Sequence, residues 1–278
     1  MPKIRNLLCA GVARLRKNKT FWLGILAMFA LGIFSAYSKY SDIVRYEQVS
    51  RLDDVLFSYV PLTGLCSAIF CSMFVGTEYS DGTLRNKLIV GHTRESIYCS
   101  NLFLCIGASL IMAFAWLFSY VALGHFLLFP PEASVKIILF YALISAFTIT
   151  AYTSLFCMLS MLIPKKAAAA VTCLLVFGGL LIIGMTIAAR LDAPEFQQGY
   201  IMGANGLEQA PPTPNPKYLQ PDERKIWQFF FDFVPAGQSM QLITFSVLHP
   251  LALMLYSMLI DVAAAAVGLI VFRRQNLK

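Results

Sequence analysis

Six long apolar runs are the feature that most constrains how this chain can fold. They lie at roughly 20 to 37, 55 to 75, 100 to 128, 137 to 163, 167 to 189 and 250 to 272. A helix needs about 20 apolar residues to cross about 30 Å of hydrocarbon, and each run approaches or exceeds that length. Because backbone polar groups in a bilayer must be hydrogen-bonded internally, the runs predict an all-α membrane protein with six transmembrane helices.

The composition agrees with this fold class. Apolar residues make up 58% of the chain, charged residues make up 13%, and the mean hydropathy is +0.67. These values are typical of polytopic membrane proteins, so we interpret residues 1–278 as a single transmembrane domain. The seven cysteines form no CxxC pair. We therefore interpret them as small buried apolar residues, with neither a disulfide framework nor a metal site.

The distribution of lysine and arginine predicts the orientation in the membrane. Six basic residues precede the first run, and further clusters follow the second, fourth and sixth runs. Positive charge in short loops is retained in the cytoplasm, so both termini are predicted to be cytoplasmic in a cell-membrane protein. The pI near 9.0 is then a consequence of topology, and nucleic-acid binding is a poor interpretation of it.

Residues 1–19 carry an amphipathic pattern. Apolar residues at Ile4, Leu7, Leu8, Val12 and Leu15 share one helical face, and the basic residues lie off it. The pattern predicts a helix in the headgroup plane that contacts membrane lipids. The alternative is a loosely ordered basic tail that only enforces topology. The run after it could also be a secretory signal peptide, although no convincing small-residue cleavage site follows.

The segment 190–249 lies between the fifth and sixth runs and is predicted to be extracellular. Its middle is rich in proline and excludes a regular helix or central strand from 206 to 221. A helical pattern returns at 222–233, and residues 234–248 are nearly uncharged. Two interpretations remain: short helices that dip into the outer leaflet, or a small extracellular subdomain that meets cargo or a partner.

The polar stretch after the second run, within 76–96, is predicted to be a structured cytoplasmic loop. Asp81 is a suitable N-cap, and a helix of about two turns is expected over 82–90, with Leu84 and Leu88 on its apolar face. Gly91 is placed to end it. Thr93 is expected to cap the next helix, which continues into the third apolar run. A short helix held between two rigid spans could act as a lever.

The sequence from Gly76 to Asn86, followed by Gly91 and Thr93-Arg94, resembles the signature of ABC-2 type transporter permeases, especially those of bacterial peptide-antibiotic and bacteriocin export or immunity systems. The resemblance implies that this region docks on a nucleotide-binding subunit, with Glu78, Gly82 and Thr83 as its acidic residue and Gly-Thr step. The residues implied in ATPase coupling are Glu78, Tyr79, Asp81, Gly82, Thr83, Leu84, Arg85 and Asn86. The six spans and the N-terminal helix extend the resemblance over most of the chain.

Motifs for chemistry are missing from the sequence. It contains no GxxxxGK[ST] phosphate-binding loop, no HExxH and no GxSxG. We therefore expect no catalytic residues and no cofactor in this chain, with ATP and Mg bound by a partner ATPase.

Asp261 is an ionisable residue near the middle of the sixth run. A lone carboxylate there costs a few kcal/mol on insertion scales. It could line a cargo path or pair across a subunit interface. It could equally be a protonated or hydrogen-bonded packing residue beside the small residues Ala263 to Ala266.

The resemblance implies the permease subunit of an ABC exporter. The expected partners are an ABC ATPase and a second permease, identical or not, and the cargo would be an amphiphilic peptide, an antibiotic or a lipid-like compound. Antibiotic resistance or bacteriocin immunity would be the corresponding biological role. The alternative is a membrane sensor or assembly protein whose outer segment 190–249 binds a ligand.

Overall fold

Helices account for most of the chain. The computed structural model describes residues 2–197, 200–203, 206–209 and 212–275. In chain order the helices are α1 (Pro2–Lys17), α2 (Lys19–Tyr46), α3 (Tyr59–Ser80), α4 (Thr83–Ile89), α5 (Arg94–Leu127), α6 (Val135–Leu162), α7 (Lys166–Leu191), α8 (Pro221–Phe233), α9 (Pro235–Ile243) and α10 (Pro250–Arg274). Six of them are long and apolar enough to cross a membrane: α2, α3, α5, α6, α7 and α10. The predicted all-α, multi-pass architecture is confirmed at this level.

The ends of the spans differ from the predicted ones. The first span continues to Tyr46, where the prediction had an external loop from residue 38. The second occupies Tyr59–Ser80, whereas 55 to 75 was predicted. A hydropathy pattern marks only the apolar part of a helix, and a helix can continue through polar residues until a capping conformation ends it. At α2 that residue is Glu47, whose φ of 53° leaves the helical region.

The centre of the bundle is α3, which is the most extensively buried of the six spans. It packs against α2, α5, α6 and α7. Its hydroxyl side chains bond to the preceding turn: Thr63 donates to the Tyr59 carbonyl at 2.7 Å, and Ser67 donates to the Thr63 carbonyl at 2.7 Å. Small residues and internally satisfied hydroxyls let helices approach closely inside a membrane.

The outer faces of the bundle are apolar. Large exposed apolar side chains lie along α2, α7 and α10, among them Leu23, Leu26, Phe34, Leu175, Ile182, Leu255 and Val262. Apolar surface on this scale would be unfavourable in water, and lipid chains can contact it without cost.

The two ends of the bundle carry different short helices, α4 at one end and α8 and α9 at the other. At the α4 end, the Tyr79 hydroxyl donates to the Met161 carbonyl, and the Gln275 amide donates to the Leu162 carbonyl at 3.2 Å. The ends of α3, α6 and α10 therefore meet there. The opposite end carries α8 and α9 and is called the α8 end.

The α8 end contains short strands in addition to its helices. Short antiparallel strands form here: β1 (Phe196–Gln197) pairs with β4 (Thr213–Pro214), and β2 (Tyr200–Gly203) pairs with β3 (Gly206–Gln209). The prediction excluded a helix and a central strand from 206 to 221, and what forms is short two-stranded pairing that tolerates proline at its ends. Residues 204–205 and 210–211 lie outside the described residues.

The two helices of this segment follow the prediction more closely. The helical pattern over 222–233 is confirmed by α8. The nearly uncharged stretch after it forms α9, which is largely buried against α6, α7 and α8. Whether this end is extracellular stays a prediction.

Candidate functional site

Glu78 lies in the last turn of α3 and is almost fully buried, with its side chain 1% exposed. It is therefore part of α3, which continues beyond residue 75, the predicted end of the second apolar run. The helix continues to Ser80 because the Asp81 amide still donates to the Thr77 carbonyl, at 3.0 Å. Thr77 and Glu78 therefore both belong to the last turn of α3.

Three side chains from three other helices converge on the Glu78 carboxylate. Oε1 accepts hydrogen bonds from Arg14 of α1 and Lys87 of α4, and both pairs are salt bridges. Oε2 accepts from Asn101 Nδ2 of α5 at 2.7 Å. We call Glu78, Arg14, Lys87 and Asn101 the Glu78 cluster. It joins α1, α3, α4 and α5 through one buried charge.

The Glu78 cluster pairs one buried acid with two basic side chains. The Arg14 guanidinium also lies 3.6 Å from the centre of the Phe74 ring, a cation–π contact. Burial lowers the pKa of Arg14, and the nearby Glu78 carboxylate opposes that shift. Arginine still keeps its proton, so the pair is ionic. A buried carboxylate that loses such partners becomes very costly, so the cluster holds its helices in one arrangement.

A tight turn connects α3 to α4, and it corrects one predicted role. Asp81 ends α3 as its C-cap, and Gly82 takes the N-cap position of α4 with a φ of 65°. This left-handed backbone favours glycine, so Gly82 is required by the turn. Thr83 Oγ1 donates to the Glu78 carbonyl at 3.1 Å and ties the start of α4 back to α3. The prediction of Asp81 as N-cap is wrong.

The far end of α4 follows the prediction. Gly91 has a φ of 90°, its amide donates to the Leu88 carbonyl at 2.9 Å, and the His92 amide donates to the Lys87 carbonyl at 3.1 Å. This pair of bonds is the Schellman motif of helix ends. Thr93 then caps α5, because its hydroxyl accepts from the Ser96 amide at 3.2 Å.

One side of α4 faces the bundle and the other faces away. Leu84 is buried, and Leu88 packs on the core, as the sequence predicts. Arg85 and Asn86 are exposed. Beside them, Ile89 and Val90 expose 73% and 78% of their surface. We call Arg85, Asn86, Ile89 and Val90 the α4 tip. The sequence interpretation did not include Ile89 and Val90, although an apolar pair just before Gly91 was a visible signal.

The start of α5 is fastened to the end of α10. Arg94 Nη1 donates to the Phe272 carbonyl at 2.8 Å and also to the Gln275 carbonyl. Arg273 forms a salt bridge with Glu95. Tyr79, from the predicted coupling set, donates to the Met161 carbonyl of α6 and lies 3.3 Å from Gln275 Oε1. The segment from α3 to α5 is thus bonded to α6 and α10 as well as to α1.

Asp261 lies in the middle of α10. Its Oδ1 accepts from the Ser154 hydroxyl at 2.6 Å, and its Oδ2 accepts from the Thr150 hydroxyl at 2.8 Å. Both partners belong to α6, one helical turn apart. Asp261 is half-buried and borders a cavity of about 470 Å³ between α5, α6 and α10. Asp261 is therefore both hydrogen-bonded to α6 and part of a cavity wall.

Metal-binding and redox features are scarce. Among the residues that the structure describes, no group of three or more His, Cys, Asp or Glu side chains could hold a metal ion. The cysteines are free thiols, and most lie inside the bundle. The candidate site therefore consists of the Glu78 cluster, the α4 tip and the Asp261 cavity.

Comparison with known proteins identifies one matching family. The family model described as ABC-2 family transporter protein matches residues 7–192, about two thirds of the chain. The match begins within α1 and continues through α7, so it includes the Glu78 cluster and the α4 tip, and it ends before α8, α9 and α10. No curated protein matches the chain.

Proposed function

The chain belongs to the ABC-2 transporter family, and we propose that it is the membrane-spanning permease of an ABC exporter driven by a separate ATPase subunit. Permeases of this family are transmembrane components that are generally non-catalytic and work with ABC ATPase partners. Beyond the family assignment, we propose that the direction of transport is export. We also propose that the ATPase is coupled through the segment around α4.

The α4 tip is the proposed docking surface for the ATPase. At the α4 end, the turn from α6 to α7 spans only three residues, 163–165, whereas α4 forms a complete short helix. Its exposed pair Ile89 and Val90, beside the polar Arg85 and Asn86, combines apolar contact area with hydrogen-bonding groups. Interfaces between subunits commonly have such a composition.

The observation that carries the proposal is the Glu78 cluster. A force applied to α4 reaches Lys87, and through the buried carboxylate it reaches α1, α3 and α5 together. Glu78 itself is too buried to contact another subunit without a rearrangement, so its proposed role is to position the docking helix. Gly82 and Thr83 form the turn that holds α4 against α3. The predicted coupling residues thus have two proposed roles: some dock the ATPase and others position the docking helix.

Movement can pass from the same segment to α10. Arg94 bonds two carbonyls at the end of α10, and Glu95 pairs with Arg273. Rigid helices joined by such bonds shift as units when one end is displaced. ATP and Mg would be bound by the partner, since this sequence has no phosphate-binding loop of its own.

The proposal also includes the orientation of the chain in the membrane, its assembly with a second permease and the class of its cargo. The proposed orientation has the α4 end and both termini in the cytoplasm, and the excess of basic residues at that end supports it. Two permeases, identical or different, would form the path between them. The cargo class is an amphiphilic peptide, an antibiotic or a lipid-like compound, and antibiotic resistance or bacteriocin immunity is the biological role that fits such cargo.

The orientation can be tested with two single cysteines in a cysteine-free chain. Asp81→Cys lies at the α4 end and Thr213→Cys lies at the α8 end. In intact cells, a membrane-impermeant thiol reagent should label residue 213 and leave residue 81 unlabelled. Labelling at residue 81 would reverse the proposed orientation.

Docking can be tested with two matched valine substitutions. Val90 is 78% exposed at the α4 tip, and Val49 is 65% exposed in the loop after α2. Val90→Asp should reduce co-purification of the ATPase from native membranes by about tenfold, which corresponds to about 1.4 kcal/mol of interface free energy. Val49→Asp should leave it unchanged.

The same co-purification experiment also distinguishes the permease function from a sensor function. If the native chain brings no ATPase with it and a kinase or regulator co-purifies instead, the exporter proposal is wrong. If an ATPase co-purifies equally well with both variants, the exporter proposal survives and the α4 tip is not the docking surface.

A further inference from the structure

The cavity beside Asp261 has the size and lining of a ligand site. Its volume is about 470 Å³, within the range of about 300–1,000 Å³ typical of small-molecule pockets. Three polar residues line it, Thr150, Ser154 and Asp261, and the other lining residues are apolar, including Leu102, Phe103 and Met258. A few polar groups at fixed positions in a mostly apolar pocket give it specificity.

The Asp261 carboxylate has hydrogen-bond donors but no cation. Ser154 donates to Oδ1 at 2.6 Å. The Thr150 hydroxyl lies 2.8 Å from Oδ2 and 2.7 Å from the Phe147 carbonyl, so its single proton is shared between them. Among the described residues, the salt bridges involve other acids, and none includes Asp261. The Asp261 carboxyl group is therefore held in place by α6 and has no counter-ion among the described residues.

We infer that this cavity binds a cationic amphiphile, with the ligand's ammonium group on the Asp261 carboxylate and its apolar body against α5 and α10. The basis is charge complementarity. A carboxylate in mid-membrane is costly, and a bound ammonium lowers that cost by pairing with it. An anionic or purely polar ligand would gain nothing from the apolar walls and would be repelled by the acid.

The cavity opens sideways, toward the membrane. Phe103 and Val262 border it and are exposed on the outer faces of α5 and α10. A ligand dissolved in the lipid could therefore enter without crossing the packed centre of the bundle at α3. Amphiphiles concentrate in lipid, so their local concentration at this opening is high.

The cavity is connected to the proposed coupling segment through α10. Phe272, whose carbonyl accepts from Arg94, lies eleven residues after Asp261 on the same helix, about 17 Å along its axis. A displacement of the start of α5 would thus be transmitted to the wall that carries the acid. That the bound amphiphile is cargo rests on the permease function proposed above, whereas its binding does not.

Binding can be measured on the full chain alone, without ATP or an ATPase. The probe is a twelve-carbon primary amine with a photoreactive diazirine on its chain, added to the chain in nanodiscs of phosphatidylcholine. The matched neutral probe is the same molecule with a terminal hydroxyl group. After illumination, mass spectrometry quantifies labelling of the peptides that contain residues 102–106 and 258–265.

The native chain should show labelling of these peptides roughly tenfold stronger with the amine than with the alcohol. Asp261→Asn should abolish that preference, Asp261→Glu should largely retain it, and Glu223→Gln, which removes an exposed acid on α8 outside the cavity, should not affect it. Retention by the Glu variant shows that the loss in the Asn variant comes from charge and not from misfolding.

Equal labelling of the native chain by both probes would overturn the inference. So would absence of labelling together with a disulfide between two copies that both carry Phe103→Cys, because a second permease would then cover the opening. Neither result bears on whether an ATPase docks at the α4 tip, so a failure here is distinguishable from a failure of the proposed function.

Discussion

Glu78 and Asp261 are both acids inside long helices, and their surroundings differ in kind. Glu78, at the end of α3, contacts Arg14, Lys87 and Asn101 and is almost fully buried. Asp261, in the middle of α10, contacts two hydroxyl groups of α6 and borders an open cavity. Cations of this chain pair with Glu78, whereas none in the described part of the chain pairs with Asp261.

The difference indicates how an acid in a membrane protein can be interpreted. An acid whose counter-charges come from neighbouring helices holds those helices together, and its removal leaves the cations unpaired. An acid held only by hydroxyl groups contributes little to packing, and its charge remains available to a ligand. The comparison predicts large stability effects at Glu78 and small ones at Asp261, with the reverse order for ligand binding.

The largest expected stability effect is that of Glu78→Ala. It leaves two cations without their carboxylate, and we expect a loss of about 3 kcal/mol, the low end for a broken buried pair. We use the low end of that range of free energies because the Arg14 and Lys87 side chains are 29% and 24% exposed to solvent. Thermal unfolding of the purified chain measures the loss. Asp81→Ala, three residues away and exposed, is the control, and equal behaviour of the two variants would contradict the role of the Glu78 cluster.

The second prediction concerns Asp261→Leu, which should separate stability from transport. Its thermal stability should stay within about 1 kcal/mol of the native chain, because hydrogen bonds between membrane helices contribute little. Transport of the twelve-carbon amine by the reconstituted complex should fall about tenfold in Asp261→Leu and to a similar degree in Asp261→Asn, because neither side chain carries the charge that binds the amine. Full transport by the Leu variant would remove Asp261 from the cargo path.

A third prediction compares two neighbouring basic residues on α4. Lys87 bonds the buried Glu78 carboxylate, whereas Arg85 is exposed at the α4 tip. Lys87→Met should lower the free energy of unfolding by about 1 kcal/mol. This is less than the value for a fully buried charged hydrogen bond, because Lys87 is partly exposed. Arg85→Met should change it by less than about 0.5 kcal/mol. A larger effect at Arg85 would mean that α4 is held by other contacts.

The smallest expected effect is that of Ser154→Ala. Removing one hydroxyl donor to Asp261 should lower stability by about 0.6 kcal/mol. The preference of the cavity for the amine probe should fall a few-fold, because the carboxylate loses a group that orients it. Ser100→Ala is the matched control, since the Ser100 hydroxyl donates to the Ile97 carbonyl on the same helix. A loss of amine preference in the control would point to a general packing effect.

Much of the fold follows from local patterns. The six spans, the N-terminal helix, the helix at 222–233 and the caps at Gly91 and Thr93 were all predictable, because each depends on residues close together in the chain. The short strands at the α8 end were missed, since proline-rich segments contain no periodic signal that distinguishes strand pairing from an irregular loop.

The candidate site was predictable only in part. The importance of Glu78 came from a resemblance, and its burial was not foreseen, because a hydropathy pattern ends a span where polar residues begin. Its partners Arg14, Lys87 and Asn101 come from separate helices, and nothing in local spacing pairs them. The amide of Asn101 within an otherwise apolar run was the available signal, since a buried amide needs a partner.

The sequence by itself determined the membrane class, the number of spans and the place of the short helix α4, since apolar length, charge distribution and capping residues act locally. Tertiary structure alone decided which acid is neutralised and which is left open. The reason is physical: the cost of a buried charge depends on the groups that surround it in space, and helix packing brings Arg14 and Lys87 to Glu78 but brings only hydroxyl groups and a cavity to Asp261.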